Sequence, residues 1–360
     1  MRRLVFWLAA CLLLTGCWDA AELENRGYVV SVSIDRADGM FDVSMTVPDA
    51  AAIAGKDDGE ARRLLLRGQG DSLAAAMWDA DGKIGKSLFF GQTKLAVFSA
   101  ECLTDADMLA RAADALSRGS EWSRKLLILA ADGNVRAADI LEAESPGEPL
   151  VGAFVSNYYK TGGAAVKLDL EGLTRALNTT GCVVLPRAAV EDKKIVLSGA
   201  AVLKDGALAG WLDEGETRGM FWLRGAGAGA LVTADFDGEP VPLHVTQCAR
   251  RLAFFEDAEG LVCRVAIRAS GSVESLARMP NTLPDAGLLE ALSGLFAEAI
   301  ADEANRTFAV FRDGLAADAL DFREELYKRE PALYRRYAAD WDSAFAGMRL
   351  EADVQVTLLQ

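Results

Sequence analysis

Apolar and polar positions alternate over two early runs of the chain. Tyr28, Val30, Val32 and Ile34 are interleaved with Val29, Ser31 and Ser33, and Phe41, Val43, Met45 and Val47 resume the period after Ala37-Asp38-Gly39. Period-2 runs on either side of an Asp-Gly turn predict a β-hairpin. Residues 50–62 are small and charged and read as a loop, residues 72–80 as a short helix and residues 87–98 as a strand. Thr104 is the expected N-cap of a helix through Leu116, with Asp105 and Asp107 in its first turn. A buried strand at 125–130, a helix at 135–142 and another at 166–177, after Gly162-Gly163, complete the first half.

Residues 186–194 carry a proline and a charged run and read as a linker, after which strand patterns dominate. Strands are expected at 195–203 and 207–212 across Lys204-Asp205-Gly206, then at 219–223, 229–236, 241–246, 250–256 and 261–268. A long helix starts at Asp285 and lines up Leu288, Leu292, Leu295, Phe296, Ala299 and Ile300 on one stripe. Shorter helices follow near 316–327 and 331–345, and Met348, Leu350, Ala352, Val354, Val356 and Leu358 alternate with polar residues in a closing half-buried strand. Hairpin-joined strands with helices grouped elsewhere indicate a multi-domain α+β fold with mostly antiparallel or mixed sheets, rather than a doubly wound parallel one. The expected division is 28–187 as an N-terminal α+β domain, of one or two subdomains, and 188–360 as a C-terminal α+β domain.

The chain has 360 residues, 51% of them hydrophobic, with 38 Lys+Arg against 53 Asp+Glu and a net charge of −15. That balance argues against nucleic-acid binding, which needs clustered cations to neutralise phosphate, and against adhesion to anionic lipid by charge. The first residues supply another means of membrane attachment. Arg2 and Arg3 precede the apolar run 4–14, which is too short for the ~20 residues of a spanning helix but suits the core of a signal peptide. The run ends in Leu14-Thr15-Gly16-Cys17, a lipobox. Residues 1–16 are therefore the expected lipoprotein signal peptide and Cys17 the expected site of diacylglyceryl attachment. Residues 17–27 are the tether, about ten residues reaching at most ~35 Å.

Four cysteines remain beyond the anchor: Cys102, Cys182, Cys248 and Cys263. Outside the cytosol they allow two disulfides by three pairings. A turn at 257–260, however, places Cys248 opposite a residue near Ala269 and out of register with Cys263, which favours buried free thiols. They lack the C-x-x-C spacing of a zinc site. His244 is the only histidine and lies on an expected strand, where a structural role is favoured over catalysis or metal binding. Residues 81–87, DGKIGKS, have Ala80 where a phosphate loop needs its first glycine, and they run into a strand. Residues 224–230, RGAGAGA, lack the G-x-G-x-x-G order and read as a flexible loop between strands. Asp213, Glu214 and Glu216 read as solvated turn residues rather than a glycosidase pair. Trp211, Phe221 and Trp222 read as core, and Asn178-Thr179-Thr180 is a glycosylation sequon of little meaning in a bacterium.

Several segments, taken in order, resemble the spore germination Ger(x)C family, the lipoprotein C subunits of nutrient germinant receptors. They are Gly16-Cys17-Trp18-Asp19 with Glu22-Leu23-Glu24-Asn25, the strand ending in Ile34-Asp35, residues 87–94 (SLFFGQTK), and 135–141. The second half adds 197–203 (LSGAAVL), Gly210-Trp211-Leu212, Glu216-Thr217-Arg218-Gly219, Asp321-Phe322, Pro331 and 341–345 before the closing strand. Gln92 stands where the family often has histidine, and 225–229 is unusually rich in glycine. The resemblance implies a multi-domain α+β ectodomain with no known enzymatic activity, cofactor or metal. It also implies a place on the outer face of the inner spore membrane beside two integral-membrane subunits, a large A-type and a permease-like B-type. The rival reading is a solute-binding lipoprotein of a transporter, which calls for a two-lobed α/β fold that the hairpin-rich second half opposes.

Overall fold

The hairpin pattern of the first half is realised inside a much wider sheet. The computed structural model describes residues 26–48, 63–133, 135–145, 148, 150–160, 165–273 and 286–359. The expected signal peptide, the expected tether up to residue 25 with Cys17, and the expected loop 50–62 lie outside them. A parallel two-stranded piece, β1 (Arg26–Tyr28) with β5 (Ser87–Phe89), stands beside an eight-stranded mixed sheet. That sheet contains β2 (Ser31–Ala37), β3 (Met40–Pro48), β4 (Arg63–Gly70), β6 (Leu95–Phe98), β7 (Leu127–Ala131), β8 (Val183–Glu191), β9 (Lys194–Lys204) and β10 (Ala207–Leu212). Its order is β10-β9-β8-β7-β6-β2-β3-β4, parallel from β8 through β2 and antiparallel at both flanks.

Helices cover both faces of this sheet. Ala96 and Phe98 of β6 join a core with α1 (Leu73–Asp81), α2 (Ala100–Leu103), α3 (Ala106–Arg118) and α6 (Leu170–Thr179). Leu95 and Val97 point the other way, to α4 (Ala137–Glu142) and α5 (Val151–Lys160). A central strand covered on both sides buries its polar positions too, so Ser31, Ser33 and Asp35 of β2 are all inside. Ser33 and Ser44 satisfy one another across the hairpin, the Ser44 N–H donating to Ser33 Oγ at 3.3 Å.

Several expectations are corrected. The strand at 87–98 is two strands separated by a turn in which Thr93 N donates to Phe90 O. Thr104 ends α2, and the cap of α3 is Asp105, whose carboxylate accepts from Met108 N at 3.0 Å. Helix α5 falls where no element was expected, and the helix expected at 166–177 starts at Leu170 and runs to Thr179. The linker at 186–194 is instead most of β8, with a two-residue turn, Asp192-Lys193, into β9. Strands β9 and β10 thus belong to the first sheet, and pairing continues across the expected boundary near 188 as far as Leu212.

The second sheet is β11 (Leu231–Phe236), β12 (Glu239–Asp257), β13 (Gly260–Val273) and β14 (Arg349–Leu358), in that order, with β13–β14 parallel. The two strands expected at 241–246 and 250–256 are one strand, β12, bent where its register shifts between Val245 and Gln247. Helix α8 (Ala286–Ala309) lays Leu292, Phe296, Ile300, Ala304 and Phe308 into the core of this sheet, and a π-helical turn, Val310–Gly314, follows it. Residues 219–223 are helix, inside α7 (Glu214–Arg224), and not a strand. The two C-terminal helices become α9 (Phe322–Arg329), α10 (Pro331–Tyr337) and α11 (Trp341–Ala346). Among the described residues no helix is long and apolar enough to cross a membrane.

Candidate functional site

Three carboxylates fasten elements of the fold to one another. Asp35, at the buried end of β2, accepts from Ala137 N at 2.8 Å and Ala138 N at 3.0 Å, so it holds the first turn of α4. Burial pushes its carboxyl above the ordinary value, while the two amides and Arg136 oppose the shift. Arg136, the residue before α4, pairs with Asp42 of β3 at 2.7 Å. This latch joins two segments that carry the resemblance, the strand ending in Ile34-Asp35 and residues 135–141.

A second latch fastens α7 to α8. Asp213 and Glu216 form a reciprocal capping box, Asp213 Oδ1 accepting from Glu216 N at 2.7 Å and Glu216 Oε2 from Asp213 N at 2.9 Å. The carboxylates that the sequence offered as turn residues are thus a helix start. Two residues on, Arg218 grips Glu303 of α8 with Nε 3.0 Å from Oε2, and Trp222 Nε1 donates to the same oxygen at 2.8 Å. Gly219 lets the helices meet, since a Cβ there would lie 1.9 Å from Thr307 Oγ1 and 2.7 Å from the Glu303 carbonyl.

The third latch is Asp318. It accepts from Phe322 N at 3.0 Å, Arg323 N at 2.8 Å and Trp341 Nε1 at 3.1 Å, so it gathers α9 and α11. Burial pushes its carboxyl up to about 6, with Asp321 adding to the shift and the N–H donors opposing it. An acid whose folded value lies above its ordinary 3.8 stabilises the fold fully below that value and loses the contribution as pH rises through about 6. The loss is on the order of 2 kcal/mol. Asp318→Asn is therefore expected to cost more stability at pH 4.5 than at pH 7. Urea midpoints of variant and wild type at the two pH values check this; a difference that stays constant would show that the group does not titrate in the window.

The remaining candidates take structural places. Cys102 and Cys263 are buried, Cys182 and Cys248 half-buried, and all four are free thiols. Cys248 pairs with Ala269 and Cys263 with Phe254, so the expected mismatch of register holds. Burial pushes Cys102 up to about 12 and Cys182 up to about 11, which keeps them poor nucleophiles at neutral pH. His244 lies mid-strand between Leu231 and Ser272 of the neighbouring strands. Asp81 closes α1 and accepts from Leu88 N at 3.0 Å, so residues 81–87 are a helix-to-strand turn. Residues 224–230 follow a helix, not a strand: Gly225 is its left-handed cap, and Gly227 lies against Trp222, where a Cβ would come within 2.0 Å of the ring. Trp211 packs in the core of the first sheet, whereas Phe221 and Trp222 pack in that of the second. No group of three or more metal-ligating side chains occurs among the described residues.

The chain begins its described course at β1, pinned to the end of α1 through β5 and Asp81. Trp78, one turn before Asp81, is 80% exposed, and Lys83 and Lys86 are exposed on the turn that follows. An indole so free of cover at the end where the chain emerges is the surface feature that sequence reasoning missed, because Leu73, Ala76 and Ala80 of the same helix are buried.

Residues 19–190 match the family described as "Spore germination protein N-terminal domain", and residues 198–360 match "Spore germination B3/ GerAC like, C-terminal". Spore germination protein YndF of Bacillus subtilis (strain 168) is 23% identical over 395 aligned positions, covering 99% of this chain and 96% of that protein. Spore germination protein KC of the same organism is 22% identical, covering 95% of this chain and 90% of that protein. Among solved structures, the crystal structure of the GerBC protein superposes with a TM-score of 0.64 at 14% identity, over 91% of this chain and 97% of that one. At that identity the likeness establishes the fold alone.

Proposed function

Because the chain belongs to the GerAC-like family of spore germination proteins, we propose that it is a non-catalytic, lipid-anchored subunit of a spore germinant receptor complex. The observation that carries the reading is the match of both halves, in order, to the N- and C-terminal domains of that family. In this reading the chain sits on the outer face of the inner spore membrane beside a large A-type and a permease-like B-type membrane subunit, and it helps assemble the receptor and pass on the signal of a nutrient. The three latches suit the role: each fixes one element of the ectodomain to another.

Anchoring supplies the rest. A diglyceride on Cys17 would confine the ectodomain to the plane of its partners and raise their effective concentration. From Cys17 to Arg26 the tether reaches at most about 32 Å, which would keep β1, Trp78 and the lysines after α1 at the membrane side. Tryptophan favours the headgroup boundary. The test is affinity isolation of the tagged chain from spore membranes in mild detergent. Two integral-membrane proteins are expected to co-isolate in constant proportion, and deletion of the gene is expected to abolish the response to a nutrient. Isolation of the chain alone, together with an unchanged response in the deletion, would refute the assignment.

A further inference from the structure

A cleft of about 800 Å³ opens between the two halves of the molecule, with α6 and the segment before it on one wall and the end of α7 with α9 and α10 on the other. Clefts between domains are the usual place for a small-molecule site. Four cations line this one, Lys167, Arg175, Arg224 and Arg323, against two carboxylates, Asp321 and Glu324. The chain as a whole has 53 acidic residues to 38 basic, so the cleft reverses the sign of the surface around it. A concave cationic region with low-dielectric walls concentrates small anions out of a repelling field.

None of the four cations is ion-paired among the described residues. Arg224 closes the floor; its Nη2 donates to the Ala319 carbonyl and its Nε has no partner. Burial pushes its guanidinium below the ordinary value and Arg250 adds to the shift, while Asp321 and Asp318 oppose it only in part. Arg175 is exposed on α6, Lys167 rests over the Tyr159 ring at 5.7 Å, and Arg323 Nη2 reaches only the Ala338 carbonyl, at 3.5 Å. The opposite wall is aromatic. Tyr327, 58% exposed, meets Tyr334 edge-on with centroids 5.2 Å apart.

We propose that this cleft binds a small organic carboxylate that also carries a hydrogen-bond donor. Guanidinium groups match the planar, two-oxygen geometry of a carboxylate. Asp321 accepts from a hydroxyl or amino group and, with Glu324, which also pairs with Lys328 Nζ at 2.6 Å, repels a compact dianion such as phosphate, and the tyrosine pair flanks the carbon skeleton. The site is independent of how the chain is anchored and of which subunits it joins.

Calorimetric titration of the full chain in neutral detergent with lactate, at constant ionic strength, tests the site. Saturable heat at one site per chain is expected, weakened at least tenfold by Arg175→Glu and abolished by Arg224→Met. Arg175 is exposed and its side chain makes no hydrogen bond or ion pair among the described residues, so its variant remains informative if Arg224→Met fails to fold, which far-UV circular dichroism would show. Absence of saturable heat, binding indifferent to Arg175→Glu, or inorganic phosphate binding as tightly as lactate would each overturn the proposal.

Discussion

Replacing Glu303 by alanine is expected to destabilise the C-terminal half by about 3 kcal/mol. Glu303 is 12% and Arg218 27% exposed, and both nitrogens of the arginine fork bond the carboxylate. Trp222, whose indole N–H donates to the same group, is fully buried. Truncation would leave a sheltered guanidinium and a buried N–H without an acceptor, and that unpaired residue, more than the lost attraction, sets the cost. The partial exposure of Arg218 places the effect at the low end of the range for broken buried pairs. For a unit of this size the loss corresponds to a fall in Tm of roughly 6–12 °C. Glu303→Gln keeps an acceptor for the indole and is expected to lose about half as much. Urea unfolding followed by tryptophan fluorescence reads both, and a loss under ~1 kcal/mol for the alanine variant would mark the pair as a solvated surface contact.

How much of this was legible in the sequence depended on whether the signal was local. The hairpin of β2 and β3 was, because period-2 alternation and an Asp-Gly turn are both local, and the pairing of Ser31 with Thr46 through Ala37 with Met40 follows. Its environment was not: Ser31, Ser33 and Asp35 look like a solvent face, yet helices cover them. Helix α7 was misread as strand since Met220, Phe221, Trp222 and Leu223 form a β-prone run, although its capping box, Asp213 with Glu216, stood in the sequence. Pro186 made residues 186–194 look like a linker; the structure places it where the register of β8 against β9 shifts, a position in a sheet that tolerates the missing N–H. The latches were beyond reach for another reason. Asp35 and Ala137 lie 102 residues apart and Arg218 and Glu303 lie 85 apart, so their complementarity exists only after folding. The same holds for the cleft, whose cations come from three separate stretches of the chain.

Replacing Cys17 by alanine is expected to move the protein from a membrane-bound to a released form, the largest change proposed for any single substitution. Two acyl chains at about 0.8 kcal/mol per buried CH2 make attachment effectively permanent, whereas one chain alone exchanges. Charge does not compensate. Loss of Arg2 and Arg3 with the signal peptide takes the net charge from −15 to −17, which an anionic leaflet repels at about 1 kcal/mol per nearby charge. The alanine variant also loses the cysteine at which the signal peptide would be processed, so it is expected to keep residues 1–16. That eleven-residue apolar run falls short of the ~20 residues that span a bilayer, and alkaline carbonate is expected to strip the variant from vesicles while the native form stays in the pellet. Intact-mass measurement separates the steps: the native protein should begin at residue 17 with a diacylglyceryl group in thioether linkage, and the variant should retain its leader without lipid. A native chain bearing a free thiol at residue 17, or a variant that resists carbonate as the native form does, would remove the anchor from the account, and with it the membrane-side placement of Trp78.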